Sequence, residues 1–433
     1  MKTNVAVVGL GKIGLPLAVA IASSDNVGRV FGIDVDEAVV ASVNSGIAHI
    51  YGEPHLQDML ARVHSLKKLS ATSSFKEGLA EADVILVAVP LYTTIEKIPD
   101  FSVIDRAVNS ISLNLRDKSL VVFETTLPIG TTANRFTPSL EKVSGLSLAS
   151  GSLFVAFSPE RVSTGSFFAD IKAYPKIVGG VNNSSAEEAV NFYKSWIDFD
   201  PLTHDGKENG VWRVSSSDEA EFVKLAETTY RDVNIALANV FQEHAKQIGV
   251  SFEQIRSAAN SQPYSHIHRA GISVGGHCIP VYPNLYLSTH DSAELVRVAR
   301  ATNDSMPNRA VEILQREIGD LAGLNVLVLG VSYRPGVKED AFSGAHALKT
   351  ILKSSGVNVF VLDPLYSDDE LRRLGFELSS DAESIDAVIL HTAHEHFQHL
   401  SVSDFPNAKA FIDGRGSLNA SNFPDVFFES LVN

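Results

Sequence analysis

The chain has 433 residues, 45% hydrophobic and 20% charged, with 36 Lys plus Arg against 51 Asp plus Glu, a formal charge of −15. At roughly 100–200 residues per domain this length implies two or three domains, each able to bury a core, and the apolar content excludes a disordered chain. The acidic balance argues against non-specific nucleic-acid binding, while the single cysteine, Cys278, excludes an intrachain disulfide framework and a cysteine-built zinc site and fits a reducing, cytoplasmic setting.

In chain order, the N-terminus first imitates a signal peptide, with Lys2 ahead of an apolar stretch that ends at Ala20-Ile21-Ala22. Gly11, Lys12, Gly14 and Pro16 interrupt that stretch, so strand, turn and helix are the expectation. No apolar run of about 20 residues occurs elsewhere, and no membrane span is expected. Residues 1–205 alternate short apolar runs (Val5–Val8, Val84–Val89, Leu120–Phe123, Phe154–Phe157, Ile177–Val178) with amphipathic segments, a pattern that predicts βαβ units and a parallel sheet. After a polar stretch, Ser215-Ser216-Ser217-Asp218 caps a long helical pattern that reaches about Ile248. Further helix is expected at Phe252–Ala259 and Ala293–Asn303, before strand–helix alternation resumes at Asn325–Leu329, Val357–Leu362, Ala387–Leu390 and Ala410–Ile412.

Gly9-Leu10-Gly11-Lys12-Ile13-Gly14 directly follows the first strand and opens a helix. The first glycine makes a tight turn, the second lets a pyrophosphate approach the backbone, and the third permits close helix–strand packing. Phosphates then meet the free N–H groups of a helix N-terminus. Asp34, at the end of the second strand, is placed to accept hydrogen bonds from a ribose 2′-OH and to repel a 2′-phosphate, which favours NAD over NADP. The expected fold is therefore α/β: two Rossmann-like doubly wound domains, 1–205 and 311–433, joined by a central helical region, 206–310, with one long helix.

Cys278 lies in Gly275-Gly276-His277-Cys278-Ile279-Pro280. A lone intracellular cysteine is most often a small buried hydrophobe. Here the paired glycines allow unusual backbone angles that aim N–H groups at an anion, the setting that activates a thiol. The loop alone supports both readings. Lys224, Thr228 and Arg231 follow i, i+4, i+7 spacing on the long helix, which suits a solvated polar stripe or an ammonium held against a reacting oxygen.

The motifs together resemble the UDP-glucose/GDP-mannose dehydrogenase family along nearly the whole chain. They are Val8–Pro16, Phe31–Asp34, Glu124-Thr125-Thr126 through Thr131, Ser158-Pro159-Glu160-Arg161, Pro175-Lys176 through Gly180, Lys224–Glu227, Gly275–Cys278, Val328–Gly330, Asp363-Pro364 and Thr392–Glu395. Arg231–Asn239 and His277 beside Cys278 resemble the branch acting on UDP-N-acetylhexosamines; the glucose and mannose branches usually carry Ser at the histidine position. The resemblance implies a four-electron oxidation of a sugar C6 alcohol to a carboxylate with two NAD, through a thiohemiacetal and a thioester on Cys278. It assigns oxyanion stabilisation to Lys224, acid/base work to Glu160, and positioning of the reacting water to Thr126, with Thr228 also in the catalytic set. It places Gly9, Gly11, Lys12, Ile13, Gly14, Asp34, Pro90 and Thr126 at the cofactor, and Glu160, Arg161, Lys224, Thr228, Gly275 and Arg334 at a UDP-sugar. It also implies a C-terminal domain that holds the UDP, a homodimer built on the long helix, and a part in polysaccharide biosynthesis.

Three positions depart from the family pattern: Thr228 stands for Asn, Tyr282 for Asp and Ala341 for Arg. The first two bear on thioester hydrolysis and the third on contacts to the sugar, where Arg334 or Lys338 is a candidate substitute. Arg161 and Lys176 suit phosphate or sugar binding, or ordinary surface charge. The run His391, His394, His396 and His399 fits no standard zinc spacing, so no metal is expected. Alternative readings are a UDP-glucose 6-dehydrogenase, a single-step alcohol dehydrogenase relying on Lys224, and a degenerate protein that binds nucleotide-sugars without turnover.

Overall fold

Short apolar runs buried on both faces become the strands of two sheets, as parallel pairing under helices requires. The computed structural model describes residues 2–378 and 381–432. It divides into two compact units, residues 1–226 and 227–433. In the first, β1 (Thr3–Val8), β2 (Val27–Ile33), β3 (Leu69–Thr72), β4 (Val84–Val87), β5 (Ser119–Phe123), β6 (Leu153–Phe157), β7 (Lys176–Gly180) and β8 (Val211–Arg213) form one sheet. Its order is β8-β7-β6-β5-β4-β1-β2-β3. Helix α1 (Gly14–Ser23) buries Leu15, Leu17, Val19 and Ile21 in a core shared with Val5, Val7, Leu86 and Val122. The residues that imitate a signal peptide are thus a central strand and a core helix.

One pairing departs from the expected parallel sheet. β6 and β7 run antiparallel, with Ala156 opposite Gly180 and Phe157 opposite Gly179. The link between them carries only a short helix, Phe167–Ala173, and returns to the end of the sheet it left. Because β7 runs back from beyond the end of β6, its first residue, Lys176, meets Glu160 just beyond β6, with the ammonium 2.9 Å from the carboxylate.

Helix α2 (Asn183–Trp196) covers the sheet, and helix α3 (Ser217–Gln247) runs for 31 residues. The Ser216 hydroxyl accepts the Glu219 N–H at 3.2 Å, as the serine-rich cap predicts, and the division between the units falls within this helix, after Ala226. The second unit contains α4 (Cys278–Leu287), α5 (Glu294–Ile318) and α6 (Gly344–Ser354). Among the described residues its strands are β9 (Asn325–Leu329), β10 (Asn358–Leu362), β11 (Ala387–Leu390), β12 (Ala410–Asp413) and β13 (Phe427–Ser430). They form a wholly parallel sheet in the order β10-β9-β11-β12-β13.

Helix α5 does not end near Asn303. It continues through Pro307, because Met306, Ala310, Val311, Ile313 and Leu314 keep an apolar stripe buried beyond the proline. No helix among the described residues is long and apolar enough to cross a membrane.

Candidate active site

The sheet of the first unit reverses its winding between β1 and β4, the place where open α/β sheets bind ligands. There the Gly9 N–H donates to the Ile33 carbonyl at 2.8 Å, and φ at Gly9 is +89°. A Cβ on Gly14 would lie 1.8 Å from the Gly9 carbonyl oxygen, so α1 reaches the turn only without a side chain. A Cβ on Gly11 would meet nothing within 4 Å, which leaves its backbone open to an approaching pyrophosphate. Lys12 and Pro90 are exposed around this opening and Ile13 is half-buried. Asp34 accepts the Leu10 N–H at 2.7 Å and the Asp36 N–H at 3.0 Å. It braces the turn while each of its oxygens keeps a further lone pair for a ribose hydroxyl. These residues fit NAD.

Beyond the ends of β5 and β6 lies a buried charge cluster. The Lys176 ammonium donates to Glu160 at 2.9 Å and to Glu124 at 3.2 Å. The side chains of Lys176, Glu124 and Glu160 are only 5, 0 and 9% exposed. Tyr193, from α2, donates its hydroxyl to Glu124 at 2.5 Å and lays its ring 4.9 Å from the Lys176 ammonium. Burial pushes Glu124 up to about 7, against the pull of Lys176. Burial acts the same way on Glu160, but Lys176 and the Arg161 N–H outweigh it and hold that carboxyl below its ordinary range. Lys176 is thus neither a phosphate ligand nor a surface charge, because two carboxylates already hold it. The half-buried Arg161 donates to the Pro175 carbonyl at 3.2 Å.

Lys224 is buried and donates to the backbone carbonyl of Glu160 at 2.5 Å, which joins α3 to the charged cluster. One turn earlier on α3, Glu221 accepts the N–H groups of Gly130 and Thr132 and the Thr132 hydroxyl at 2.6, 2.8 and 2.6 Å. Burial pushes Glu221 up to about 7 despite these bonds. Thr126 is buried in the segment between β5 and this anchor. Lys224 and Thr228 are buried on α3 while Arg231 is exposed, so the solvated-stripe reading fails for the first two.

In the second unit Cys278 is exposed at the first residue of α4, among the free N–H groups of its first turn. Its loop is held from several sides. Gly271 donates to the Asn239 side chain at 3.0 Å, Ile272 donates to the Gly414 carbonyl at 2.9 Å, and Arg415 donates to the Ser273 hydroxyl at 3.2 Å. Tyr333 packs on both glycines: a Cβ would lie 2.7 Å from it at Gly275 and 2.9 Å at Gly276. The Gly276 N–H donates to the Ala341 carbonyl at 3.0 Å, so that group serves the fold and is not aimed at an anion. His277 meets the Tyr282 and Phe342 rings edge-on. Two of the three departures, Tyr282 and Ala341, therefore border the cysteine loop.

Arg334 lies over the Tyr333 ring, and Lys338 is paired with Glu370 at 2.6 Å. Gly330 repeats the Gly9 turn, with φ +91° and its N–H on the Leu362 carbonyl, and Asp363 accepts the N–H groups of Val331 and Ser332. His391 is fully buried against Ser273 and Thr392, whereas His394 bonds Asp363. Sequence reasoning passed over Tyr193 and Arg415, and it quoted Glu124 only as part of a motif. A carboxylate directly after the apolar run of β5 was the available signal for Glu124.

A dinucleotide turn beside a buried lysine–carboxylate cluster, followed by a second doubly wound unit, is the layout of a dinucleotide-dependent oxidoreductase. This chain belongs to the UDP-glucose/GDP-mannose dehydrogenase family. Family models match the NAD binding domain at residues 3–197, the central domain at 218–305 and the UDP binding domain at 327–420. The chain is 34% identical to a UDP-N-acetyl-D-mannosamine dehydrogenase of Pyrococcus horikoshii, with 95% of each chain covered. It is 30% identical to an NDP-N-acetyl-D-galactosaminuronic acid dehydrogenase of Ralstonia nicotianae, with 96% of each covered. A solved UDP-D-ManNAc dehydrogenase from P. horikoshii superimposes with a TM-score of 0.88 at 32% identity, covering 99% of both chains. The chain is an NAD-dependent dehydrogenase.

Proposed function

We propose that this enzyme oxidises the C6 alcohol of a UDP-N-acetylhexosamine, UDP-N-acetylmannosamine foremost, to the uronate through covalent chemistry on Cys278. The carrying observation is full-length similarity to UDP-N-acetyl-D-mannosamine dehydrogenases in a chain whose one cysteine heads α4. Bound NAD supplies the hydride acceptor, two molecules per sugar, and Gly9, Gly11, Lys12, Ile13, Gly14, Asp34, Pro90 and Thr126 are the residues assigned to hold it. Glu160 takes the alcohol proton as the aldehyde forms. The Cys278 sulfur then adds to the carbonyl carbon, and Lys224 stabilises the resulting oxyanion. Loss of a second hydride leaves a thioester, and water positioned by Thr126 and Thr228 releases the carboxylate and returns the thiol. Arg161, Gly275 and Arg334 contribute to sugar and nucleotide binding.

In this reading residues 1–205, 206–310 and 311–433 act as NAD-binding, dimerising and UDP-sugar-binding parts of a cytoplasmic homodimer that serves polysaccharide biosynthesis. Exposed Tyr230, Leu237, Val240 and Phe241 on α3 support the dimer. The Ralstonia relative favours a second reading, in which the acetamido sugar has the galacto configuration.

The test is NADH yield per sugar across UDP-N-acetylmannosamine, UDP-N-acetylglucosamine, UDP-N-acetylgalactosamine and UDP-glucose. Two NADH per sugar are expected for one of the acetamido sugars, and Cys278→Ala should abolish uronate formation. One NADH with a free aldehyde product, or full activity in Cys278→Ala, would overturn the covalent route.

A further inference from the structure

The antiparallel return of β7 sets one ammonium, Lys176, between two carboxylates that come from different strand ends. Glu124 is fully buried and shares its cation, Lys176, with Glu160, which the Lys224 ammonium also attracts. A fully buried carboxylate that shares its cation with a second anion favours the proton over the charge. The groups facing the cluster are the Tyr193 hydroxyl from α2, the Lys224 ammonium from α3, the Ser158 hydroxyl and the Arg161 backbone N–H.

We propose that Glu124, Lys176 and Tyr193 are positioning residues that set how readily Glu160 accepts a proton, by keeping one exchangeable proton on Glu124. The proposal rests on the role assigned to Glu160 above. With the proton on Glu124, the charge of Lys176 is committed to Glu160, which is then a weak base. When Glu124 releases that proton to water, two anions share Lys176 and Glu160 becomes the stronger base. The Tyr193 hydroxyl suits both states, because its rotor donates to an ionised carboxylate and accepts from a protonated one. Burial sets the exchange near neutrality, with Glu124 at about 7.

Two measurements on the full chain test this. The first is the pH profile of kcat for the wild type and Glu124→Gln. The wild-type rate should rise on an ionisation near 7. Glu124→Gln should lose that ionisation and fall about tenfold in kcat above neutrality, with KM values within about twofold, as expected for a change of roughly one unit in the basicity of Glu160. Lys176→Arg should keep the ionisation and Lys176→Met should lose it.

The second measurement needs no turnover. An infrared titration of protonated carboxyls should contain a band that titrates near 7 and is missing from Glu124→Gln; because Glu221 also lies at about 7, the readout is the part lost in the variant. A kinetic ionisation that survives in Glu124→Gln, or an unchanged carboxyl band, overturns the proposal. Absence of turnover on every UDP-sugar defeats the functional reading by itself, and the infrared titration then still decides the proton on Glu124.

Discussion

Gly276 holds a φ of +84° and lies against the Tyr333 ring, 2.9 Å from where a Cβ would stand. Two costs therefore meet at one residue, backbone strain and a clash with the ring of Tyr333, a residue whose Cβ lies against Gly275. Gly323 separates them, because its φ is +78° and a Cβ there would meet nothing within 4 Å. Gly323→Ala should cost about 1 kcal/mol from strain alone. Gly276→Ala should cost about 2–4 kcal/mol, with the overpacking added. Urea unfolding of the two variants measures the difference, and equal losses would show that Tyr333 yields freely. The same substitution displaces the N–H that Ala341 holds, two residues before Cys278. Labelling of Cys278 by a thiol reagent should change rate in Gly276→Ala and stay unchanged in Gly323→Ala.

Elements are placed by anchors that differ in how visible they are in the sequence. The N-terminal end of α3 is fixed by Glu221, which takes three hydrogen bonds from the segment after β5. In Glu221→Gln one oxygen becomes an NH₂ group facing an N–H donor, so the variant should lose about 1–3 kcal/mol, read from the urea midpoint. A gain in stability would mean that relief of the buried carboxyl outweighs the lost bonds. Strands such as Leu120–Phe123, Asn325–Leu329 and Ala387–Leu390 were legible because burial on both faces leaves an unbroken apolar run. The dinucleotide turn was legible because its three glycines and Asp34 act within one βαβ unit. The direction of β7 was not, since the link sets it and the run itself is the same either way. Strand β13 was missed because its residues are only half-buried at the sheet edge. The charge cluster escaped for a similar reason: Lys176 lies 52 residues from Glu124, and Tyr193 lies 69 residues from it. Sequence spacing carries no sign of such contacts, and Lys176 read as a phosphate or sugar ligand or as a surface charge until both carboxylates were placed against it.

At the scale of the molecule, the two units store opposite responses to pH. In the first, burial holds Glu124 and Glu221 at about 7. A carboxyl raised in the folded state binds more protons folded than unfolded, so its contribution is complete below the unfolded value of about 4.5 and is lost as pH rises through about 7. For Glu221 that loss is at most about 3 kcal/mol. In the second unit burial holds His391 at about 3. A lowered histidine binds fewer protons folded, so stability is present above its unfolded value of about 6.5 and is lost as pH falls. His268, pushed down by burial, adds to this loss, whereas Asp413, pushed up by burial against four backbone N–H bonds, opposes it. His391, fully buried, sets the sign. Moving from pH 7 to pH 5 should therefore stabilise the first unit and destabilise the second. Both tryptophans, Trp196 and Trp212, belong to the first unit and the only cysteine, Cys278, belongs to the second, so each unit carries its own probe. Tryptophan fluorescence in urea should move to a higher midpoint at pH 5, while a fluorophore on Cys278 should move to a lower one. His391→Phe should hold the second midpoint nearly constant between these pH values, because the replacement has no charge to desolvate. Coincident transitions that shift together would show one cooperative molecule and defeat the prediction. Opposite shifts that persist in His391→Phe would move the acid sensitivity of the second unit to another group.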